Sequence, residues 1–161
     1  MTQGHDLTGH VVLVTGAAGT LGRAIADAIA AAGGTAIRSD LNGRAGVDLQ
    51  LDVTRDADWA TAITDISSRH GHLDGLVHCA GIAILGDVET TSYDDWRRVQ
   101  AVNVDGVFLG CKHAMPLLTK SNAASIVMLS SVSGLVAGAN LAAYNASKGA
   151  VRLLSKSVAL A

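Results

Sequence analysis

Short apolar runs alternate with longer stretches of helical period along the whole chain. Val11-Val12-Leu13-Val14 is a continuous apolar run ending in glycines, the mark of a parallel strand buried on both faces. From Leu21 to Ala32 the chain is alanine-rich with helical spacing, and Gly33-Gly34 closes that helix. Thr35 to Ser39 reads as a second strand and Val47 to Leu51 as a third, separated by the turn Asn42-Gly43-Arg44. Asp56 to His70 is amphipathic, with Trp59, Ile63 and Ile66 at helical spacing. Leu76-Val77-His78-Cys79 is the fourth strand. Ser92, with Asp95 in capping register, opens a long helix through Trp96, Val99 and Val102. Pro116 is expected to bend or interrupt it near its end. Ile126-Val127-Met128-Leu129 is the fifth strand, and a last helix runs from about Leu141 to Ala161. This order predicts an α/β fold, a doubly wound parallel sheet.

Composition narrows the class. With 161 residues, 49% of them hydrophobic, the chain can bury the core of one domain. A formal charge of −2 gives no electrostatic footprint for nucleic acid or for an anionic membrane. The polar start, Met1 to Asp6, has no apolar signal region, and no apolar run is long enough to span a bilayer. Cys79 and Cys111 lie far apart without metal-ligand or redox spacing, so reduced thiols in a cytoplasmic protein are expected. The histidines show no ligand pattern either. His70 and His72 read as a solvated pair at a helix end rather than a metal site.

The first strand-to-helix turn, Thr15-Gly16-Ala17-Ala18-Gly19-Thr20-Leu21-Gly22, is built of small residues. They let the backbone approach a pyrophosphate whose charge meets the helix N-terminus. Asp40 ends the second strand, where a carboxylate can accept both hydroxyls of an adenosine ribose and repel a 2′-phosphate. A solvated strand-end aspartate is the plainer alternative. Arg38 complicates the cofactor, because a cation there could welcome NADP. Strand alternation puts Arg38 and Asp40 on one face, where the two can instead pair.

Near the C-terminus stands Tyr144-Asn145-Ala146-Ser147-Lys148, with Ser131 thirteen residues before the tyrosine. Tyr144 and Lys148 share one helix face. A free phenol ionises near pH ~10, and bringing it to ~7 requires about 4 kcal/mol of phenolate stabilisation. One ammonium ~4 Å away supplies roughly that at an effective dielectric of ~20. Ser131, from a strand end, would donate a hydrogen bond to a substrate oxygen. Together these groups make a proton-transfer site for an alcohol/carbonyl pair.

These motifs, in this order, resemble the short-chain dehydrogenase/reductase family along the whole chain. The resemblance implies a Rossmann fold and NAD(H)-dependent hydride transfer between a nicotinamide and a secondary alcohol or ketone, with NADP an open alternative. It carries cofactor contacts onto Gly16, Ala18, Gly19, Thr20, Leu21 and Gly22 of the phosphate loop and onto Asp40 with Leu41. It adds the adenine-side pair Asp52-Val53 and the stretch Cys79-Ala80-Gly81. It makes Tyr144 the acid/base and Ser131 the group that orients the substrate oxygen. Lys148 would stabilise the phenolate and bond the nicotinamide ribose, and Asn103 would hold a water in the proton relay. Plainer roles stand beside these: Asn103 bending a helix against a backbone carbonyl, and Ser131 capping the loop after its strand. The helices over about 92–120 and 141–161 have apolar outer faces suited to a homodimer or homotetramer, as in the family.

Three departures qualify the resemblance. The glycine spacing Gly16, Gly19, Gly22, with Thr20 where the short-chain loop has glycine, is that of the extended, sugar-nucleotide branch. The interval from Ser131 to Tyr144 is that of the short-chain branch and weighs more, because it sets catalytic geometry. His78-Cys79 stands where the family has two asparagines. The family also continues past the last helix into a further strand, a Pro-Gly turn at the nicotinamide, a substrate cover and a final strand. The expectation is therefore a single dinucleotide-binding domain cut after the fifth strand and its helix, either a fragment or a truncated product. By itself it would have little or no turnover, and a catalytically silent nucleotide-binding or dimerisation module is the rival reading. The segment Ile84 to Glu89 with Leu135 to Asn140 would line one pocket wall and is mostly apolar, which leans toward a cyclic or steroid-like alcohol.

Overall fold

Alternation along the first strand, β1 (Val11–Thr15), sets both layers of the fold in the computed structural model, which describes residues 6–41 and 43–160. The polar start Met1 to His5, Asn42 of the expected turn and Ala161 at the end of the last helix lie outside those residues. Val11 and Leu13 face a core built with Trp59, Ala62 and Ile66 of helix α2 (Asp56–His70) and Ala114 and Leu117 of α4 (Gly106–Leu118). Val12 and Val14 face the opposite side, where Ala26 and Ile29 of α1 (Thr20–Ala31) cover them. A strand buried on both faces must be largely apolar, as Val11 to Val14 are, with the one polar residue, Thr15, at its end.

The remaining strands are β2 (Thr35–Asp40), β3 (Leu49–Gln50), β4 (Gly75–His78) and β5 (Ser125–Met128). They form one five-stranded parallel sheet in the order β3-β2-β1-β4-β5. The doubly wound architecture expected from the pattern is what the chain adopts. The order reverses between β1 and β4, and that switch point opens a crevice above the strand C-termini. Helix α6 (Ala142–Ala159) packs Val151, Leu154 and Val158 on the α4 side against Ile126 and Met128 of β5. Val127, on the other face of that edge strand, is 47% exposed. No described helix is long and apolar enough to cross a membrane.

Local details depart from the periodicity in four places. The third strand is only Leu49–Gln50, because Gly43 and Gly46 take positive φ and keep Val47 in a loop. The helix opened by Ser92, whose Oγ accepts the Asp95 N–H at 3.0 Å, is not continuous. Helix α3 (Tyr93–Gln100) widens into a π-helical turn, Ala101–Asp105, before α4 begins. Pro116 sits inside α4, two residues from its end, without ending it. A short helix, α5 (Ser133–Val136), follows β5 where a loop was expected.

Candidate functional site

The phosphate loop owes its shape to two glycines. Gly16 has φ 64°, and a Cβ there would lie 2.7 Å from the Ala80 nitrogen. A Cβ on Gly22 would collide with the Gly16 carbonyl oxygen. The loop therefore packs backbone against the turn after β4. Thr15 strengthens this contact from the end of β1, its Oγ accepting the N–H groups of Cys79 and Ala80 at 3.2 Å each. No side chain caps the first turn of α1. Its opening amides are therefore able to receive an anion in the crevice.

Above the switch point lies a cavity of about 770 Å³. Its walls include all six phosphate-loop residues named from the sequence, together with Asp40, Leu41, Asp52, Val53, Cys79, Ala80 and Gly81. Each lies at or beyond the C-terminal end of a strand, which is why residues distant in sequence meet there. Asp40 is held by the backbone: Oδ2 accepts the Ala18 N–H at 2.9 Å and Oδ1 accepts its own neighbour's, Leu41, at 2.8 Å. A carboxylate has about four acceptor positions, so two bonds leave others facing the cavity. Asp52 Oδ1 is occupied by the Thr54 hydroxyl at 2.7 Å and by the Thr54 N–H at 3.0 Å.

Arg38 does not pair with Asp40. Its Nη2 lies 2.8 Å from Asp27 Oδ1 on α1, because the packing of α1 on β2 brings that carboxylate closer than strand alternation alone reveals. The cations that do line the cavity are Arg44 and Arg98, neither singled out from the sequence. Arg44 lies in the loop after β2, where no periodic signal marks it.

The residues expected from the sequence to transfer protons cluster around the first turns of α6. Lys148 is buried, 7% exposed, and its Nζ donates to the Leu129 carbonyl at 2.7 Å while standing 5.7 Å from the Tyr144 ring centre. Burial pulls this ammonium below the ordinary lysine range, with Cys79 opposing the shift. An ammonium has three donors, so two remain. The Tyr144 hydroxyl makes no hydrogen bond among the described residues. Ser131 Oγ accepts the Ser133 N–H at 3.1 Å, which opens α5 and leaves the Ser131 proton free to donate. The capping role and a substrate-facing role are thus compatible in one hydroxyl.

Asn103 is buried in the π-helical turn. Its Nδ2 donates to the Ile82 carbonyl at 2.9 Å and to Ser147 Oγ at 3.0 Å, and its Oδ1 accepts the Ile82 N–H at 2.9 Å. The side chain is thus engaged by protein groups on both sides. Ser147, which the sequence reading passed over, in turn donates to the Tyr144 carbonyl at 2.8 Å. A Cβ placed on Gly81 would lie 3.4 Å from Asn103 Oδ1 and 3.6 Å from Lys148 Nζ, so the cavity floor and the α6 cluster adjoin at that glycine.

A family model described as short chain dehydrogenase matches residues 10–161. Cyclopentanol dehydrogenase of Comamonas sp. (strain NCIMB 9872) is 38% identical over 164 residues, which cover 93% of this chain and 66% of that protein. An NADP-dependent (R)-specific alcohol dehydrogenase of Lentilactobacillus kefiri is 37% identical, with 96% of this chain and 67% of that one covered. Among solved structures, ligand-free aldohexose dehydrogenase of Thermoplasma acidophilum superposes with a TM-score of 0.89 at 38% identity. That match covers 97% of this chain and 62% of the other. The chain spans about two thirds of the length of the curated relatives it matches.

Proposed function

Because this chain belongs to the short-chain dehydrogenase family, we propose that the protein interconverts a secondary alcohol and a ketone by NAD(H)-dependent hydride transfer, with Tyr144 as general acid/base. The observation that carries the reading is the buried Lys148 ammonium, tied to Leu129 and 5.7 Å from the Tyr144 ring. A bound nicotinamide dinucleotide supplies the hydride acceptor or donor. The uncapped start of α1 and the glycine cradle receive its pyrophosphate. Asp40 and Leu41 hold its adenosine ribose, with Asp52 and Val53 on the adenine side. Asp40 favours NAD(H), since a 2′-phosphate would meet its charge.

In the alcohol-oxidising direction Tyr144 takes the hydroxyl proton as hydride leaves carbon. Lys148 favours the phenolate through its charge and turns its remaining donors to the nicotinamide ribose. Ser131 donates to the substrate oxygen and stabilises charge developing there. Asn103 serves the relay by fixing the Ile82 turn beside Lys148. Leu85, Val88, Val132, Leu135 and Val136 are all exposed, on two segments that Gly86 joins through Asn140 and Ala142, and their apolar character suits a cyclic secondary alcohol of the kind named for the Comamonas relative. Two assays test this: fluorescence titration with NADH and NADPH, then NADH formation from a panel of cyclic secondary alcohols. Saturable NADH binding, tighter than NADPH, is expected; no saturable binding of either dinucleotide would overturn the reading.

A second reading, a nucleotide-binding module that pairs with its own copy, is favoured by exposed apolar side chains on α3, α4 and α6. Tyr93, Phe108 and Leu153 are 72%, 53% and 63% exposed. A full-length protein that dimerises and binds NADH without turnover would select it.

A further inference from the structure

The residues from Ser130 to Ala142 fold back against α6 at successive points. Ser130 Oγ donates to the Lys148 carbonyl at 2.8 Å. Gly134 lies so close that a Cβ there would be 2.7 Å from the Lys148 carbonyl oxygen. Farther along, one side chain holds both polar groups of a single residue. The Gly138 N–H donates to Asn145 Oδ1 at 3.0 Å, and Asn145 Nδ2 donates to the Gly138 carbonyl at 2.8 Å. The residue just before, Ala137, stands at φ 54° and ψ 153°, a conformation that a Cβ makes costly. The far end of the segment is tied to the loop after β4. There the Gly86 N–H donates to the Asn140 carbonyl at 2.9 Å and the Ala142 N–H to the Gly86 carbonyl at 3.0 Å.

We propose that Asn145 is a positioning residue for the substrate: its two-point hold on Gly138 offsets the strain at Ala137 and fixes the apolar wall carrying Leu135 and Val136. This rests on the reading of Tyr144, its neighbour on α6, as the acid/base. Asn145 does not line the dinucleotide cavity. Its loss therefore loosens the substrate side and leaves cofactor binding alone. The amide is suited to the task because it offers a donor and an acceptor together. Aspartate would keep the acceptor but set a charged oxygen against the Gly138 carbonyl, and alanine would remove both bonds.

The test uses backbone hydrogen exchange and NADH binding on the chain itself, with steady-state kinetics on cyclopentanol in the full-length protein. Asn145→Ala should speed exchange across residues 134–141 about ten- to a hundred-fold, the size expected for two lost hydrogen bonds. Exchange in α2 and the NADH Kd should stay within about two-fold of wild type, since neither depends on the contact. The KM for the alcohol should rise about ten-fold while kcat stays within about three-fold, as for a residue that holds binding geometry. Adding Ala137→Gly, which removes the Cβ penalty, should restore part of the protection and part of the KM; this double variant also serves if Asn145→Ala alone does not fold. Unchanged exchange, an unchanged KM or a parallel loss of NADH affinity overturns the positioning role. A full-length wild-type protein that oxidises no secondary alcohol, yet shows the exchange contrast, instead overturns the dehydrogenase reading and the substrate role with it.

Discussion

Asn103 grips Ile82 by both of its backbone groups, each bond 2.9 Å long. Asn103→Ala strands the Ile82 N–H and carbonyl in a part-buried turn and removes a partner of Ser147. Each buried polar group left unsatisfied costs about 1–3 kcal/mol. The variant should lose about 2–4 kcal/mol of unfolding free energy in urea, with faster amide exchange at Ile82. A variant as stable as wild type would show that the grip contributes nothing.

Tyr144→Phe separates proton transfer from packing. The phenyl ring retains the contact with Lys148, and the Tyr144 carbonyl still accepts from Ser147. Positioned acid/base groups contribute about 10²–10⁴ in rate. In the full-length protein, turnover should fall by at least that range while NADH affinity stays within a few-fold. Substantial NADH formation by the Phe variant would remove Tyr144 from the chemistry.

On the proposed reading, cofactor preference should respond to two carboxylates rather than one. Asp40→Ser should weaken NADH and strengthen NADPH, but Arg38 stays engaged with Asp27. Replacing Asp27 as well, in Asp27→Ala/Asp40→Ser, should free Arg38 and move the preference further toward NADPH. Titration of both dinucleotides into the three proteins checks this. Tighter NADPH than NADH binding by the unmodified chain would mean that Asp40 does not set the preference.

These outcomes follow from contacts of unequal legibility in the sequence. The run Val11 to Val14, the helix Asp56 to His70 and the Ser92 cap are local signals, and each appears where its pattern placed it. The phosphate-loop residues, Asp40, Asp52 and Gly81 share a cavity because each follows a strand end, a consequence of topology that the alternating order already contains. The π-helical turn was not legible, because its residues keep an ordinary helical period and Asn103 meets its partner, Ile82, only in three dimensions. The Arg38 pairing failed for a similar reason: a strand's two-residue period says which side chains share a face, not which helix carboxylate arrives over it. Asn145 stands between Tyr144 and Lys148 with no periodic signal of its own, and its partner Gly138 has no side chain to mark the contact.

His78 gives the protein an acid sensitivity with a calculable sign. It ends β4 inside the core, 3% exposed, with Nε2 3.6 Å from Cys111 Sγ and its ring 6.1 Å from that of Trp59. Gly110 faces the imidazole so closely that any Cβ there would collide with it. Burial keeps the ring neutral and lowers its pKa from the ordinary 6.5 to about 4. Above pH 6.5 the ring is neutral in both states, so it adds no pH dependence. Between 6.5 and about 4 the unfolded chain binds the proton and the folded one does not, so stability falls with pH. At about 1.4 kcal/mol per pH unit, the whole window amounts to about 3 kcal/mol. His78→Asn has no titrating group at this position. Between pH 6.5 and 5 the wild-type chain should therefore lose about 2 kcal/mol more unfolding free energy than the Asn variant, measured by urea denaturation. The other titrating groups act equally in both proteins and cancel from the difference. Parallel pH profiles would mean that the imidazole is protonated, or reached by water, inside the fold.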